Sequence, residues 1–99
     1  MEARRVEFDE AAAADLDGIY DMIADAAGPH MALSYTLRIH QFCMRLDLAS
    51  ERGTRRDDIR PDLRILGFER RVSIAFVVLP ERVIILRIFY GGADWEQAF

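Results

Sequence analysis

The 99 residues predict an α+β fold, a mainly antiparallel sheet packed against an N-terminal helical hairpin. Three observations carry that prediction. Apolar residues recur at helical spacing from 10 to 50, and from 62 to 90 the period falls to two. A Gly28-Pro29 pair splits the helical half in two. A short alternating segment precedes both halves, so the element order reads β-α-α-β-β-β.

Residues 3–8 read as a first strand with Val6 and Phe8 on one face. Asp9 suits a helix N-cap, because its carboxylate can accept from an otherwise unpaired backbone N–H. From 10 to 27 the apolar positions are Ala12, Leu16, Ile19, Tyr20, Ile23 and Ala27, which is helical spacing. Asp15, Asp17, Asp21 and Asp25 take the other face and the early turns. Gly28 ends this helix in a left-handed conformation and Pro29 opens the next.

The second helix is predicted over 30–50, with Gly53 ending it. It carries two apolar stripes, Ala32, Tyr35, Ile39, Phe42, Leu46 and Ala49 in one, Leu33, Leu37, Met44 and Leu48 in the other. One stripe suits the hairpin interface and the other a sheet or a partner; spacing alone does not assign them. Residues 51–61 read as a charged loop holding Arg52, Arg55, Arg56 and Arg60. Strands follow at 62–68, 71–79 and 83–90, with Pro80-Glu81 as the turn between the last two. In the middle strand Val72, Ile74, Phe76 and Val78 share one face, and Ser73, Ala75, Val77 and Leu79 the other. Both faces are mostly apolar, so both need cover. The hairpin supplies one cover; a partner is expected to supply the other. Asp94 and Gln97 have the spacing of a capping box for a last turn carrying Trp95 and Phe99. That aromatic pair is either a lid on the core or a binding surface.

Length and composition fit one domain, residues 1–99, with 52% hydrophobic and 30% charged residues. One cysteine excludes a disulfide scaffold and a multi-thiolate zinc site. No apolar run is long enough to span a membrane, and the first residues lack a signal core. A reducing cytoplasm is the expected location. The net charge of −4 is unevenly spread. Residues 1–50 hold four Arg against nine acids, residues 51–71 seven Arg against five, and residues 72–99 two Arg against three. One mildly basic segment in an acidic chain does not support strong sequence-independent nucleic-acid binding. All 13 cationic residues are Arg, which reflects coding bias or a preference for planar bidentate contacts.

No phosphate-binding glycine loop and no HExxH pattern is present, and Gly91-Gly92 reads as a turn. His30 and His40 are ten positions apart and do not share a metal-binding face, so no metal and no cofactor is expected. Cys43 lies inside the apolar second helix and reads as a buried small hydrophobe. Asp57-Asp58 read as solvated loop acids between Arg56 and Arg60. Arg70, Arg71, Arg87 and Tyr90 lie where a hairpin of the last strands can gather them, as a phosphate clamp with a phenol. The alternative is that Arg87 pairs with an acid and Tyr90 packs at the sheet edge.

Several segments resemble ParE-type toxins of the RelE/ParE superfamily. The run Glu51-Arg52-Gly53-Thr54-Arg55-Arg56-Asp57-Asp58-Ile59-Arg60-Pro61 resembles their loop, and Leu63-Arg64 their next strand start, with Asp62 in place of the usual glycine. Residues 83–95, Val83 through Trp95, resemble the last strand and tail. Val6-Glu7-Phe8, Ala14-Asp15-Leu16-Asp17 and Ile19-Tyr20 resemble the first strand and helix. The resemblance spans nearly the whole chain and agrees with the element order.

It implies the toxin of a bacterial type II toxin–antitoxin module, bound and neutralised by a ParD-like antitoxin whose own DNA-binding domain supplies the only contact with DNA. It further implies inhibition of DNA gyrase by protein–protein contact, which needs no catalytic residue. Arg52, Arg55, Arg56, Arg60, Trp95 and Phe99 are the candidate target contacts. Tyr20, Tyr35, Ile39 and Phe42 are the candidate antitoxin contacts. A second reading is a ribosome-dependent mRNA endonuclease of RelE type using Arg71, Arg87 and Tyr90; the absence of Lys and of a sheet His counts against it. A third is a degenerate toxin serving as assembly partner or co-repressor.

Overall fold

The computed structural model describes residues 3–92 and 95–99, the side chain of Trp95 excepted. Asp94, half of the expected capping box, lies outside the described residues. The elements are β1 (Arg5–Phe8), α1 (Glu10–Ala27), α2 (Pro29–Met44), β2 (Thr54–Arg55), β3 (Leu63–Phe68), β4 (Val72–Val78) and β5 (Arg82–Tyr90). Short 3-10 turns follow α2 at Arg45–Asp47 and close the chain at Trp95–Ala98. The five strands form one sheet in the order β1-β5-β4-β3-β2. Every pairing is antiparallel except the edge pair of β1 with β5.

Local signals set the helical hairpin. The Asp9 carboxylate accepts from the Ala11 N–H at 3.1 Å and starts α1. Gly28 takes φ +94° and donates its N–H to the Ala24 carbonyl, which stops α1, and Pro29 begins α2 at once. The second helix is shorter than its sequence period. It stops at Met44 instead of 50, for tertiary reasons. Leu46 is fully buried, the Ser50 hydroxyl donates to the Leu46 carbonyl, and the Asp47 carbonyl accepts from the Arg4 N–H at 2.7 Å. The chain is thereby hooked onto the start of β1.

Gly53 therefore does not end the helix. It takes φ +80° beside β3, and a Cβ there would collide with the Ile65 backbone carbonyl. The charged segment 51–61 is not all loop, since Thr54 and Arg55 pair with Ile65 and Arg64 as an edge strand. A two-residue strand has too few positions to show a period.

A bulge divides β5. Ala75 faces Arg87 and Phe76 faces Ile85, so Leu86 is the extra residue. The bulge lets Ile85 and Ile88, three apart, both join the helix-covered core. That core contains Ile19, Ile39, Cys43, Leu46, Val72, Ile74, Phe76 and Val83. The opposite face has a smaller cluster of Leu63, Ala75 and Phe89, with Ile59, Ile65 and Leu86 packed against it. Ile59 comes from the 56–62 turn, and Phe99 meets Phe89 edge-on at 6.3 Å. The chain thus covers part of this face itself, where a partner was expected.

Candidate protein-interaction surfaces

The two stripes of α2 separate cleanly. Ala32, Ile39 and Cys43 are fully buried; Tyr35 and Phe42 are half-buried against the sheet. Tyr35 meets Tyr90 edge-on at 6.1 Å, and Phe42 packs on Phe68 at 4.7 Å. Leu33, Leu37 and Met44 share the outer face and are 52%, 48% and 41% exposed; Leu48, in the turn beyond, is 55% exposed. Of the four residues expected to touch an antitoxin, Ile39 thus offers no surface, and Tyr20, Tyr35 and Phe42 are each half-buried. The apolar surface lies instead on the second stripe. Spacing put both stripes on one helix but said nothing of depth, because depth depends on where α1 and the sheet fall.

Cys43 is inert in this setting, since burial pushes its thiol up to about 12. Among the described residues, no group of three His, Cys, Asp or Glu side chains is placed to hold a metal ion. No described helix is long and apolar enough to cross a membrane.

The arginines of the 51–61 segment are largely engaged with their own neighbours. Arg55 holds Asp57 at 3.0 and 3.1 Å and Asp62 at 3.1 Å. Arg56 holds Asp58 at 2.8 and 2.9 Å and reaches Glu96 of the C-terminal turn at 3.3 Å. These bonds hold the Asp57 and Asp58 carboxyls below the usual carboxylate range and both guanidiniums above theirs. Asp57 and Asp58, read as solvated acids, are the ion-pair partners that fix this segment. Arg52 lies over the Phe42 ring at 5.7 Å. Arg60 is exposed. Phe99 is 37% exposed while touching Phe89, so it is both lid and surface.

The residues of the clamp reading are not all brought together. Arg87 makes a bidentate bond to Asp15 of α1, 2.7 and 2.9 Å, which raises its pKa above the ordinary guanidinium value. The same carboxylate accepts the Ile88 N–H at 2.8 Å. Because β1 reaches only to Ile85 along β5, Asp15 does for Ile88 what a neighbouring strand would do. Arg87 thus pairs with an acid, one of the two alternatives its position left open.

Arg71 and Tyr90 do meet, in a groove of about 470 Å³ at the hairpin tip. Met22, Ile23, Ala26, Ala27 and Met31 line one side, with Tyr35 and Arg38 completing it. Sequence reading missed Met22, Met31 and Arg38 as site residues. Their only common signal was helical phase, which places them on the hairpin but not opposite Arg71.

Comparison with known proteins gives these surfaces a context. Residues 6–95 match the family described as the ParE toxin of the type II toxin–antitoxin system parDE. A solved structure of the chromosomal ParDE toxin–antitoxin system from P. aeruginosa is similar at 32% identity, covering 90% of this chain and 97% of that one, with a TM-score of 0.78. A conserved hypothetical protein from Helicobacter pylori shares the fold at 13% identity, covering 91% of this chain and 94% of that one, with a TM-score of 0.51. No curated protein matches the chain. With the match running from β1 to the start of the C-terminal turn, and with the same helical hairpin over the same kind of sheet, the chain belongs to the ParE toxin family of type II toxin–antitoxin systems.

Proposed function

We propose that this chain acts in the cytoplasm as a toxin that inhibits DNA gyrase by protein–protein contact, and so blocks replication, and that a ParD-like antitoxin neutralises it. Membership of the ParE family is the main support. The observation that carries the reading within the fold is the state of Arg87. A phosphate clamp needs a free guanidinium, and this one is bonded to Asp15 through both ends. The clamp residues being separated, contact with another protein is the better use of the surface.

The antitoxin reading draws on the outer face of α2. Leu33, Leu37 and Met44 make an apolar strip spanning three turns, the shape an amphipathic helix lays against. The gyrase-facing surface is then the 51–61 segment with the C-terminal turn, where Arg52, Arg60 and Phe99 are exposed. Arg55 and Arg56 contribute by fixing that segment through Asp57 and Asp58.

A supercoiling and DNA-cleavage assay with the purified chain tests this, with and without the antitoxin encoded beside it. Inhibition that the antitoxin reverses is the expected result. A folded chain in excess that leaves gyrase untouched would reject the target, and ribosome-dependent mRNA cleavage would be assayed next. Leu37→Asp should weaken antitoxin binding at least tenfold while the free chain keeps its circular dichroism spectrum, because the site is already 48% exposed.

A further inference from the structure

The groove at the hairpin tip combines two chemistries. Its floor is apolar, and Met22 and Met31 stand 43% and 57% exposed there in the isolated chain. Its rim carries two guanidiniums, Arg38 and Arg71, and two phenols, Tyr35 and Tyr90. The Tyr35 hydroxyl is buried and has no hydrogen-bond partner among the described residues. Burial, with Tyr90 and Glu69 beside it, pushes that phenol above its usual value, so it stays a proton donor. Arg71 has no ion pair among the described residues. Arg38 pairs with Glu69 at 3.2 Å, but both side chains are about half exposed, which makes this an easily exchanged contact.

The backbone supports Arg71 in this place. Glu69 and Arg70 both take positive φ, +48° and +65°, at the tip between β3 and β4. Left-handed conformations are unfavourable for residues other than glycine, so the surrounding fold holds this tip in place. The Arg71 carbonyl is then pinned by the Gly91 N–H at 2.7 Å. The end of α1 and the start of α2 meet at the groove, so their opposed dipoles cancel and the guanidiniums set the sign of the field.

We propose that this groove anchors an acidic–apolar segment of the antitoxin: a carboxylate side chain sits between Arg71, Arg38 and the Tyr35 hydroxyl, and a neighbouring aliphatic or aromatic side chain lies on Met22, Ile23 and Met31. The proposal rests on the antitoxin reading above and adds a chemical code to it. Charge complementarity selects the occupant. Residues 1–50 carry four Arg against nine acids, so an acidic segment is repelled by most of the hairpin and favoured at this rim. A nucleic-acid strand needs a row of phosphate contacts, and two guanidiniums beside Glu69 do not make one. The volume suits one or two side chains. A carboxylate also satisfies the orphan hydroxyl, whose isolation is a cost to the free chain.

The test measures the affinity of the neighbouring-gene antitoxin for the chain by calorimetry, alongside the melting temperature of each free variant. Arg71→Ala should weaken binding about 10–100-fold, and Arg71→Lys should recover part of it, because charge remains while the planar fork is lost. Arg82→Ala, which removes a charge paired with Glu7 on the far edge, should bind as the unchanged chain does. Tyr35→Phe separates this proposal from mere structural damage. It should raise the melting temperature of the free chain, by removing an unsatisfied hydroxyl, and weaken antitoxin binding about fivefold or more. An alanine scan of the antitoxin's acids should find one that loses its effect in the Arg71→Ala background. Normal antitoxin affinity in both Arg71→Ala and Tyr35→Phe would overturn the groove while leaving the antitoxin reading standing. Failure of the unchanged, folded chain to bind the antitoxin would overturn both. Loss of gyrase inhibition by Arg71→Ala with normal antitoxin affinity would also overturn the proposal and assign the groove to the target.

Discussion

The two faces of the sheet are held by different means. The helix-covered face is closed by burial: Phe76, Ile74, Ile85, Ile39 and Leu46 are all inaccessible to water. The opposite face has a smaller buried cluster, Leu63, Ala75 and Phe89, and its cover is a turn and a tail. That cover is fixed by conformation and charge, through Gly53, Arg55 with Asp57, and Arg56 with Asp58 and Glu96. Burial gives a face that resists change. Short-range charge pairing gives a face whose shape is set but whose surface stays polar and available.

The largest expected effect contrasts the faces directly. Phe76→Ala removes a fully buried ring from the closed face and should cost about 3–5 kcal/mol. Phe89→Ala should cost about 2 kcal/mol, because Phe89 keeps 8% of its surface and Phe99 can settle into the space. Denaturant titration of both variants reads the difference. Equal losses would mean that the turn and tail close their face as tightly as the helices close theirs.

Next in size is Gly53→Ala. The alanine would need φ near +80° with its Cβ driven into the Ile65 carbonyl, backbone against backbone. About 2–4 kcal/mol should be lost, or β2 should detach from β3. Amide exchange at Ile65, whose partner is Thr54, distinguishes the two, since only detachment exposes that edge without lowering global stability.

How far the sequence showed these regions also differs between them. Helix α1 was legible residue for residue, because Asp9 and the Gly28-Pro29 pair are local signals that act through neighbouring atoms. The strands β3 to β5 were legible to within a residue or so, because their period of two survives long enough to count. The end of α2 was not, since Leu46 stops the helix by entering a core built from distant residues. Strand β2 was too short to carry a pattern, and the parallel pairing of β1 with β5 leaves no local mark. Arg87 was seen as either clamp or ion-pair partner; Asp15, 72 positions away, decided it. The groove was not legible as a site. Its residues come from α1, α2, the β3–β4 tip and the end of β5, and each reads as ordinary within its own segment.

The smallest prediction concerns the position where this chain departs from the ParE pattern. The resemblance to ParE toxins expects a glycine in place of Asp62, which takes φ +64°. The departure leaves the backbone conformation intact, because aspartate tolerates the left-handed region better than most residues. The turn is held by backbone atoms and by Asp57, whose carboxylate accepts the Asp62 N–H at 2.8 Å, and any residue but proline can keep that bond. The Asp62 side chain adds an exposed ion pair to Arg55, which contributes little. Asp62→Gly should therefore stabilise the chain, by about 0.5–1 kcal/mol after the added freedom of the unfolded glycine is counted. That is a rise of a few degrees in melting temperature for a domain of this size. Asp62→Ala should fall by a similar amount, since alanine keeps the Cβ and loses the polar tolerance for this conformation. If glycine and alanine moved stability in the same direction, the side chain and its pair with Arg55 would matter more than the backbone. The polar face would then be held by charge at this point as well, and not by conformation.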